Sequence, residues 1–332
     1  MAKKRVVSAM RSSGELHLGH YFGAIKNWLN LQKEYDCFFF GADWHALTSD
    51  YKDPSKINRY ALSNIKDCLS LGIDPERVTL FIQSHVKEHA ELYLLLSMIT
   101  PLGWLERNPT YKEQISQIQN KDLSNLGFFS YPVLQAADVL VYNGEIVPVG
   151  EDQVPHLELS REIARRFNFL YGDVLQTAVF KEPQAELTPT PKIPGIDGRK
   201  MSNSYGNAIF LSDPEKVVSE KVMKMMTDPA RKRRQDPGEP KLCPLFDLHE
   251  VFTEASAQEE LALGCRTAAI GCVDCKKELL KRLLPWHDDF LKKRADYESH
   301  PKRVHDIIKN GSEKARKEAS KTMERVREAI HL

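Results

Sequence analysis

The sequence predicts an α/β fold, a parallel sheet covered by helices on both faces, followed by a second, helical domain. Three observations carry this. Through the first half, apolar runs of strand length alternate with amphipathic stretches of helical period. After Phe180 the composition changes, where Pro183, Pro189, Pro191 and Pro194, with Gly195 and Gly198, make a linker that cannot be regular. Beyond Ser212 most of the chain has helical patterning, and 332 residues suit two domains better than one small core.

The elements follow in order. Arg5 to Met10 is an apolar strand, Arg11-Ser12-Ser13-Gly14 a polar turn, and Tyr21 to Tyr35 an amphipathic helix. Asp36 to Ala42 is a buried strand, and Pro54 to Leu71 a helix opened by Asp-Pro. Arg77 to Gln83 reads as a strand and His89 to Ile99 as a helix. Phe128 to Tyr142 is a helix, Glu145 to Val149 a short strand, and Glu151 to Phe167 a helix with acidic residues in its first turn. Ser212-Asp213-Pro214-Glu215 starts a helix, and Glu259 to Gly264 and Lys276 to Tyr297 are helical. Ser312 to Leu332 closes the chain with Ala315, Ala319, Met323, Val326 and Ile330 on one stripe.

An apolar content of 42% with 28% charged residues fits a soluble globular protein. No run of 18 apolar residues occurs, and Met1-Ala2-Lys3-Lys4-Arg5 leads directly into a strand, so we expect a cytoplasmic protein without membrane contact. A formal net charge of +1 excludes a uniformly basic surface, and any nucleic-acid contact must come from local patches.

Two turns carry chemistry. His17-Leu18-Gly19-His20 sits between the first strand and the first helix, where free N–H groups and the helix dipole favour anions. Two imidazoles there can donate hydrogen bonds to a phosphoryl group, and Gly19 lets a flat base approach the backbone. Far along the chain, Lys200-Met201-Ser202-Asn203-Ser204 puts an ammonium and hydroxyls on a turn suited to phosphates. Together they point to ATP. Ligands of parallel sheets gather at the carboxyl ends of strands, where Asp43-Trp44-His45 and Gly150-Glu151-Asp152-Gln153 also fall.

The pairing of these turns resembles the HIGH and KMSKS signatures of class I aminoacyl-tRNA synthetases. Within that class, Tyr131 to Tyr142, Val147-Pro148-Val149-Gly150-Glu151-Asp152-Gln153 and His156 to Arg161 are similar to the tryptophanyl-tRNA synthetases. The resemblance implies a Rossmann-like catalytic domain over 1–195, a signature loop and linker over 196–210, a helical anticodon-binding domain over 211–310, and a C-terminal helix over 311–332 that packs back on the catalytic domain. It implies a homodimer with L-tryptophan, ATP with Mg²⁺, and tRNA(Trp) as partners.

By the same resemblance, His17, His20, Lys200 and Ser202 are catalytic. ATP is bound by Arg11, Ser12, Ser13, Gly19, His20, Gly150, Glu151, Asp152, Ile193, Lys200, Met201, Ser202, Asn203 and Ser204. Tryptophan is bound by Asp138, Tyr131, Gln135, His45, Val147, Val149 and Gln153, with Asp138 accepting from the indole N–H. A buried donor left without such a partner costs about 1–3 kcal/mol. Gln135 replaces an apolar residue usual in the family, Arg11 replaces a glutamine, and Asn203 replaces the second lysine of KMSKS. The last change puts more weight on Lys200, with Lys112 or Arg11 in support.

Six cysteines occur, four of them as Cys243-x21-Cys265-x6-Cys272-x2-Cys275. In a cytoplasmic protein this spacing suggests a metal before a disulfide, and four thiolates suit either Zn²⁺ or a [4Fe–4S] cluster. A subset of bacterial tryptophanyl-tRNA synthetases carries a similar array around [4Fe–4S], with a longest spacer one residue longer than here. Cys37 and Cys68 read as buried free thiols. The run Arg231-Lys232-Arg233-Arg234 is either an RNA-phosphate contact or a solvated charge run. Three other readings remain at this point: a tyrosyl-tRNA synthetase, a nucleotidyltransferase acting on a small carboxylate, and a tRNA-binding protein without catalysis.

Overall fold

In the computed structural model, residues 3–108, 122–187 and 193–332 are described, Ser204 by its backbone alone. Lys112, Pro189 and Pro191 lie outside them. The principal elements, in chain order, are β1 (Arg5–Arg11), α1 (Lys26–Glu34), β2 (Asp36–Ala42), α2 (Asp43–Asp50), α3 (Ile57–Leu71), β3 (Thr79–Ile82), α4 (Glu88–Ile99), α5 (Leu102–Glu106), α6 (Leu126–Leu140), β4 (Ile146–Val149), α7 (Val154–Leu175), β5 (Gln184–Leu187), α8 (Glu215–Lys224), α9 (Pro244–Phe252), α10 (Ala255–Arg266), α11 (Cys272–Ser299) and α12 (Pro301–Ala329).

They pack as two units. The first takes Met1–Gly14, Trp28–Pro189 and His300–Leu332, and the second Glu15–Asn27 with Thr190–Ser299. Packing therefore does not divide the chain at 195. The segment with His17 and His20 goes with the second unit, and the last helix with the first.

Among the described residues, the first unit holds a five-stranded sheet in the order β3-β2-β1-β4-β5. Every pair is parallel, with Val6 beside Cys37 and Ile146, Phe38 beside Thr79, and Ile146 beside Gln184. β2 is buried from Cys37 to Ala42, because helices cover both faces and leave no solvent side for polar alternation. From β1 the chain first builds β2 and β3, then returns to set β4 and β5 on the other side. The switch point thus lies between β1 and β4, whose carboxyl ends carry Arg11 and Gly150.

Three departures from the sequence reading have simple causes. β5 is an edge strand inside the stretch expected to be irregular; Pro183 precedes it, where a missing N–H interrupts no ladder. α7 continues past Phe167 to Leu175, and its exposed Phe169 blurs the apolar period. α12 begins at Pro301 instead of Ser312, with proline in its first turn, where no intrahelical N–H is needed. A Cβ on its Gly311 would lie 1.9 Å from the Leu80 carbonyl oxygen, so only glycine lets this helix lie against β3. Ala315, Ala319, Met323 and Val326 are fully buried in the same core as Phe38, Phe40, Phe81, Leu92 and Leu96.

The second unit is mainly α8 to α11, with Glu15–Asn27 threaded into it. The Leu18 amide donates to the Ile209 carbonyl at 3.0 Å and the Leu211 amide to that of Leu16 at 2.9 Å. The rings of Tyr21 and Phe22 then pack against Trp286 and Phe252, at centroid distances of 4.9 and 5.2 Å. Backbone pairing and aromatic burial together seat the first turn beside the second.

Candidate active site

In the second unit, the His17 and His20 rings stack with centroids 3.7 Å apart. The His17 amide donates to His20 Nδ1 at 3.2 Å. His20 therefore carries its proton on Nε2, which remains a donor. Burial lowers His17 to about 4, and burial followed by the nearby charges of His17 and Lys200 lowers His20 to about 3. Both rings are neutral at pH 7 and act as hydrogen-bond donors, with no charge to contribute. A Cβ on Gly19 would fall 2.9 Å from His17 Nδ1 and 3.6 Å from Met201 Cβ. Glycine is required there, and the Lys200–Ser204 turn abuts it.

That turn is held from within. Ile193 and Met201 are buried, and the Met201 amide donates to the Ile193 carbonyl at 3.3 Å. Asn207 is the organiser that the sequence reading missed. Its Oδ1 accepts from the Ser202 amide at 2.9 Å, and its Nδ2 donates to Asp197 Oδ1 at 2.8 Å and to the Lys200 carbonyl at 3.2 Å. Asn203 Nδ2 donates to the Glu15 carbonyl at 3.3 Å, which ties the turn to the chain entering His17. Lys200 is exposed.

In the first unit, Asp138 is buried on α6 and accepts four hydrogen bonds. Gln83 Nε2 reaches both oxygens at 2.7 and 2.9 Å, His89 Nδ1 reaches Oδ1 at 2.6 Å, and His45 Nε2 reaches Oδ2 at 2.8 Å. Burial raises the carboxyl, but His45 and His89 outweigh it and hold it at about 2. The ionised carboxylate makes the facing nitrogens donors, so His89 Nε2 accepts from the Tyr142 hydroxyl at 2.7 Å. Tyr131, also on α6, meets His156 Nε2 at 2.9 Å, and His156 Nδ1 meets Asn108 Nδ2 at 2.9 Å. Val147 and Val149 are buried on β4, and Gln135 is half-buried on α6.

Of the remaining expected residues, Ser12 is buried and Ser13 exposed after β1. Gly150, Glu151, Asp152 and Gln153 follow β4, where Gln153 Nε2 donates to Asp152 Oδ2 at 2.9 Å. The residues expected at tryptophan thus all belong to the first unit. Those expected at ATP are divided, with Arg11, Ser12, Ser13 and 150–152 in the first and Gly19, His20, Ile193 and 200–204 in the second.

The profile of the family "tRNA synthetases class I (W and Y)" matches residues 2–284. The chain belongs to this family. It is 53% identical to the tryptophan–tRNA ligase of Thermotoga maritima, over 99% of both chains. It is 46% identical to that of Aquifex aeolicus, over 99% of this chain and 100% of the relative. Among solved structures, the tryptophanyl-tRNA synthetase of Campylobacter jejuni complexed with ADP and tryptophan superposes with a TM-score of 0.88 at 35% identity, over 99% of this chain and 100% of that one. The parallel sheet and the helical second unit are the Rossmann-like fold of this class.

Gln83, His89, Tyr142, Asn108 and His156 join the hydrogen bonds around Asp138 and Tyr131, and the motifs of the family resemblance did not mark them as ligands. A weak signal existed, since Gln83 follows a buried strand at its carboxyl end and His89 opens a helix directly after it. The four clustered cysteines lie in the second unit on α9 to α11, Cys243 as the N-cap of α9. Among the described residues, no three His, Cys, Asp or Glu side chains are gathered as ligands of one metal ion, so the expected tetrad is not assembled here. The other thiols nevertheless lie within electrostatic reach of Cys275. Burial, then Cys243, Cys265 and Cys272, push Cys275 up to about 12. Arg231 Nη1 lies 3.8 Å from Cys265 Sγ, and backbone N–H groups of Phe246, Asp228 and Leu245 point at Cys243. Donors aimed at sulfur suit thiolates bound to a metal. The basic run is largely architectural. Arg231 Nη2 donates to the carbonyls of Arg234 and Ile270, Arg234 donates to those of Ala268 and Ala269, and Arg233 pairs with Asp236.

Proposed function

We propose that the chain is a tryptophan–tRNA ligase that activates L-tryptophan with ATP and transfers it to tRNA(Trp), releasing AMP and pyrophosphate. The observation that carries this is full-length identity of 53% to a tryptophan–tRNA ligase, joined to a buried carboxylate at Asp138 with apolar walls beside it. Pyrophosphate exchange with tryptophan and tyrosine supplied separately, followed by charging of tRNA, tests it. Tryptophan alone should support both steps; exchange with tyrosine alone would refute it.

In the first step a carboxylate oxygen of tryptophan forms a bond to the α-phosphorus, and the bond to the pyrophosphate oxygen breaks. The 3′-terminal adenosine of the tRNA then takes the acyl group from AMP. No protein nucleophile is needed, and catalysis is positional and electrostatic. His17 and His20 donate to the phosphate while neutral, Lys200 neutralises the departing pyrophosphate, and Ser202 and Ser204 add donors. Met201 and Ile193 flank the adenine, with Gly19 open to it, and Asn203 fastens the turn. Ser12, Ser13, Gly150, Glu151 and Asp152 serve the nucleotide from the strand ends, Asp152 through the ribose hydroxyls. Mg²⁺ enters with ATP and neutralises phosphate charge.

Asp138 receives the indole N–H at Oδ2, the oxygen shared with His45, whose side chain is 13% exposed while that of His89 is sealed. Val147, Val149 and Gln135 wall the ring, and Tyr131 and Gln153 hold the amino-acid end. We also assign Cys243, Cys265, Cys272 and Cys275 to a [4Fe–4S] cluster that binds α9, α10 and α11 together and takes no part in the reaction. Protein purified without oxygen should be brown, contain iron and sulfide, and lose melting temperature when stripped; a colourless protein containing zinc would refute the cluster. The helical unit reads the anticodon, and the enzyme works as a cytoplasmic homodimer. Among the described residues no helix is long and apolar enough to cross a membrane.

A further inference from the structure

Arg11 is an unusual residue to find at the end of a central strand. It closes β1 at the switch point of the sheet. Its Nη2 donates to Ser49 Oγ at 2.5 Å, and that hydroxyl donates to Asp50 Oδ2 at 2.7 Å. Among the described residues the hydrogen bonding of the guanidinium ends there, and Nε is buried without an acceptor. Burial pulls its pKa down, and the charges of Asp50 and Tyr131 oppose that pull. A guanidinium does not shed its proton under such conditions. The result is a half-buried cation whose Nε is a buried donor with no acceptor, an arrangement that a ligand anion would relieve.

The surroundings say which anion. Ser49 lies four residues after His45 on α2, so the two side chains share one face of that helix, about 6 Å apart along its axis. His45 touches Asp138, and Tyr131 on α6, within electrostatic reach of Arg11, lies two turns before Asp138. The neighbours of Arg11 are therefore those of the amino-acid pocket. One helical turn is also of the order of the span from an indole nitrogen to the α-carboxylate of the same molecule. We propose that Arg11 is a substrate-binding residue for the α-carboxylate of tryptophan, its Nε donating to one oxygen and leaving the other to attack phosphorus.

This differs from the expectation that Arg11 serves ATP, and it rests on the tryptophan reading above. A cation on one carboxylate oxygen orients the group and stays paired with the acyl oxygen when the second oxygen becomes part of the mixed anhydride. Ser49 and Asp50 keep the fork from swinging into solvent.

The test compares L-tryptophan with tryptamine, which keeps the indole and amine but has no carboxylate. Wild-type, Arg11→Gln and Arg11→Lys proteins are titrated with each, and the KM for ATP is measured in exchange. Arg11→Gln should weaken L-tryptophan about 10- to 100-fold, the usual range for a lost charge-assisted bond, and tryptamine less than about threefold. Arg11→Lys should recover part of the loss. Equal weakening of both ligands would make Arg11 structural and overturn the proposal. So would unchanged L-tryptophan affinity with a raised KM for ATP. Wild-type protein that fails to bind L-tryptophan would instead sink the tryptophan reading, before any variant is compared.

Discussion

The roles proposed for single side chains in recognition and in rate can be separated by mutation. Asp138 is ionised and buried, so on the proposed reading its removal would leave the indole N–H unpaired. Asp138→Asn should raise the KM for tryptophan by about 10-fold or more, with a smaller effect on the KM for ATP; equal effects on both would argue against an indole acceptor. Lys200 is exposed, and among the described residues its ammonium has no hydrogen bond or ion pair to lose. Lys200→Ala should lower tryptophan-dependent pyrophosphate exchange by about 100-fold or more at unchanged melting temperature. Near-normal exchange would remove it from the mechanism. Asp138 was legible because a carboxylate between apolar neighbours on a helix has to be paired. Its partners were less so: Gln83 and His89 are far from it in sequence, and only the crossing of β3, α4 and α6 brings them to it.

At the scale of elements, the Lys200 turn and the last helix each depend on one small contact. Asn207 holds the Ser202 amide, the Lys200 carbonyl and Asp197 at once. Asn207→Ala should lower kcat for exchange about 10-fold or more while leaving the KM for tryptophan near wild type, since the backbone that carries Lys200 would lose its anchor. α12 sits against β3 only because Gly311 has no side chain. Gly311→Ala should cost about 3 kcal/mol, seen as a fall in melting temperature of about 6–12 °C. Strands such as β2 and helices such as α3 were readable from period and apolar runs. α2 and β5 were not, the first because it follows β2 without a turn signal and the second because an exposed edge strand has no hydrophobic pattern to show.

For the whole molecule, buried neutral histidines set the response to acid. Burial lowers His17, His156 and His249 to about 4. Each is neutral in the folded chain and protonates near 6.5 once unfolded, so its contribution is fully present above about pH 6.5 and is lost progressively as pH falls towards about 4. Denaturant unfolding at pH 7 and pH 4.5 should show a loss of about 2–3 kcal/mol per buried histidine. His156→Gln, which keeps a partner for Tyr131, should lose less than wild type between the two; an identical loss would refute the assignment to His156.

By itself the sequence determined the fold class and the family, and it marked the two motif turns and the Asp138 carboxylate as candidates, because each depends on residue type and spacing along a single element. What only the tertiary structure decided were the relations between elements. Glu15–Asn27 packs with the helical unit, Gln83 and His89 donate to Asp138, the basic run is bound into carbonyls, and Arg11 stands among the residues of α2 and α6. Such contacts join residues tens to hundreds of positions apart. Hydrophobic period sets which face of an element is buried, and only packing sets which polar group it meets there.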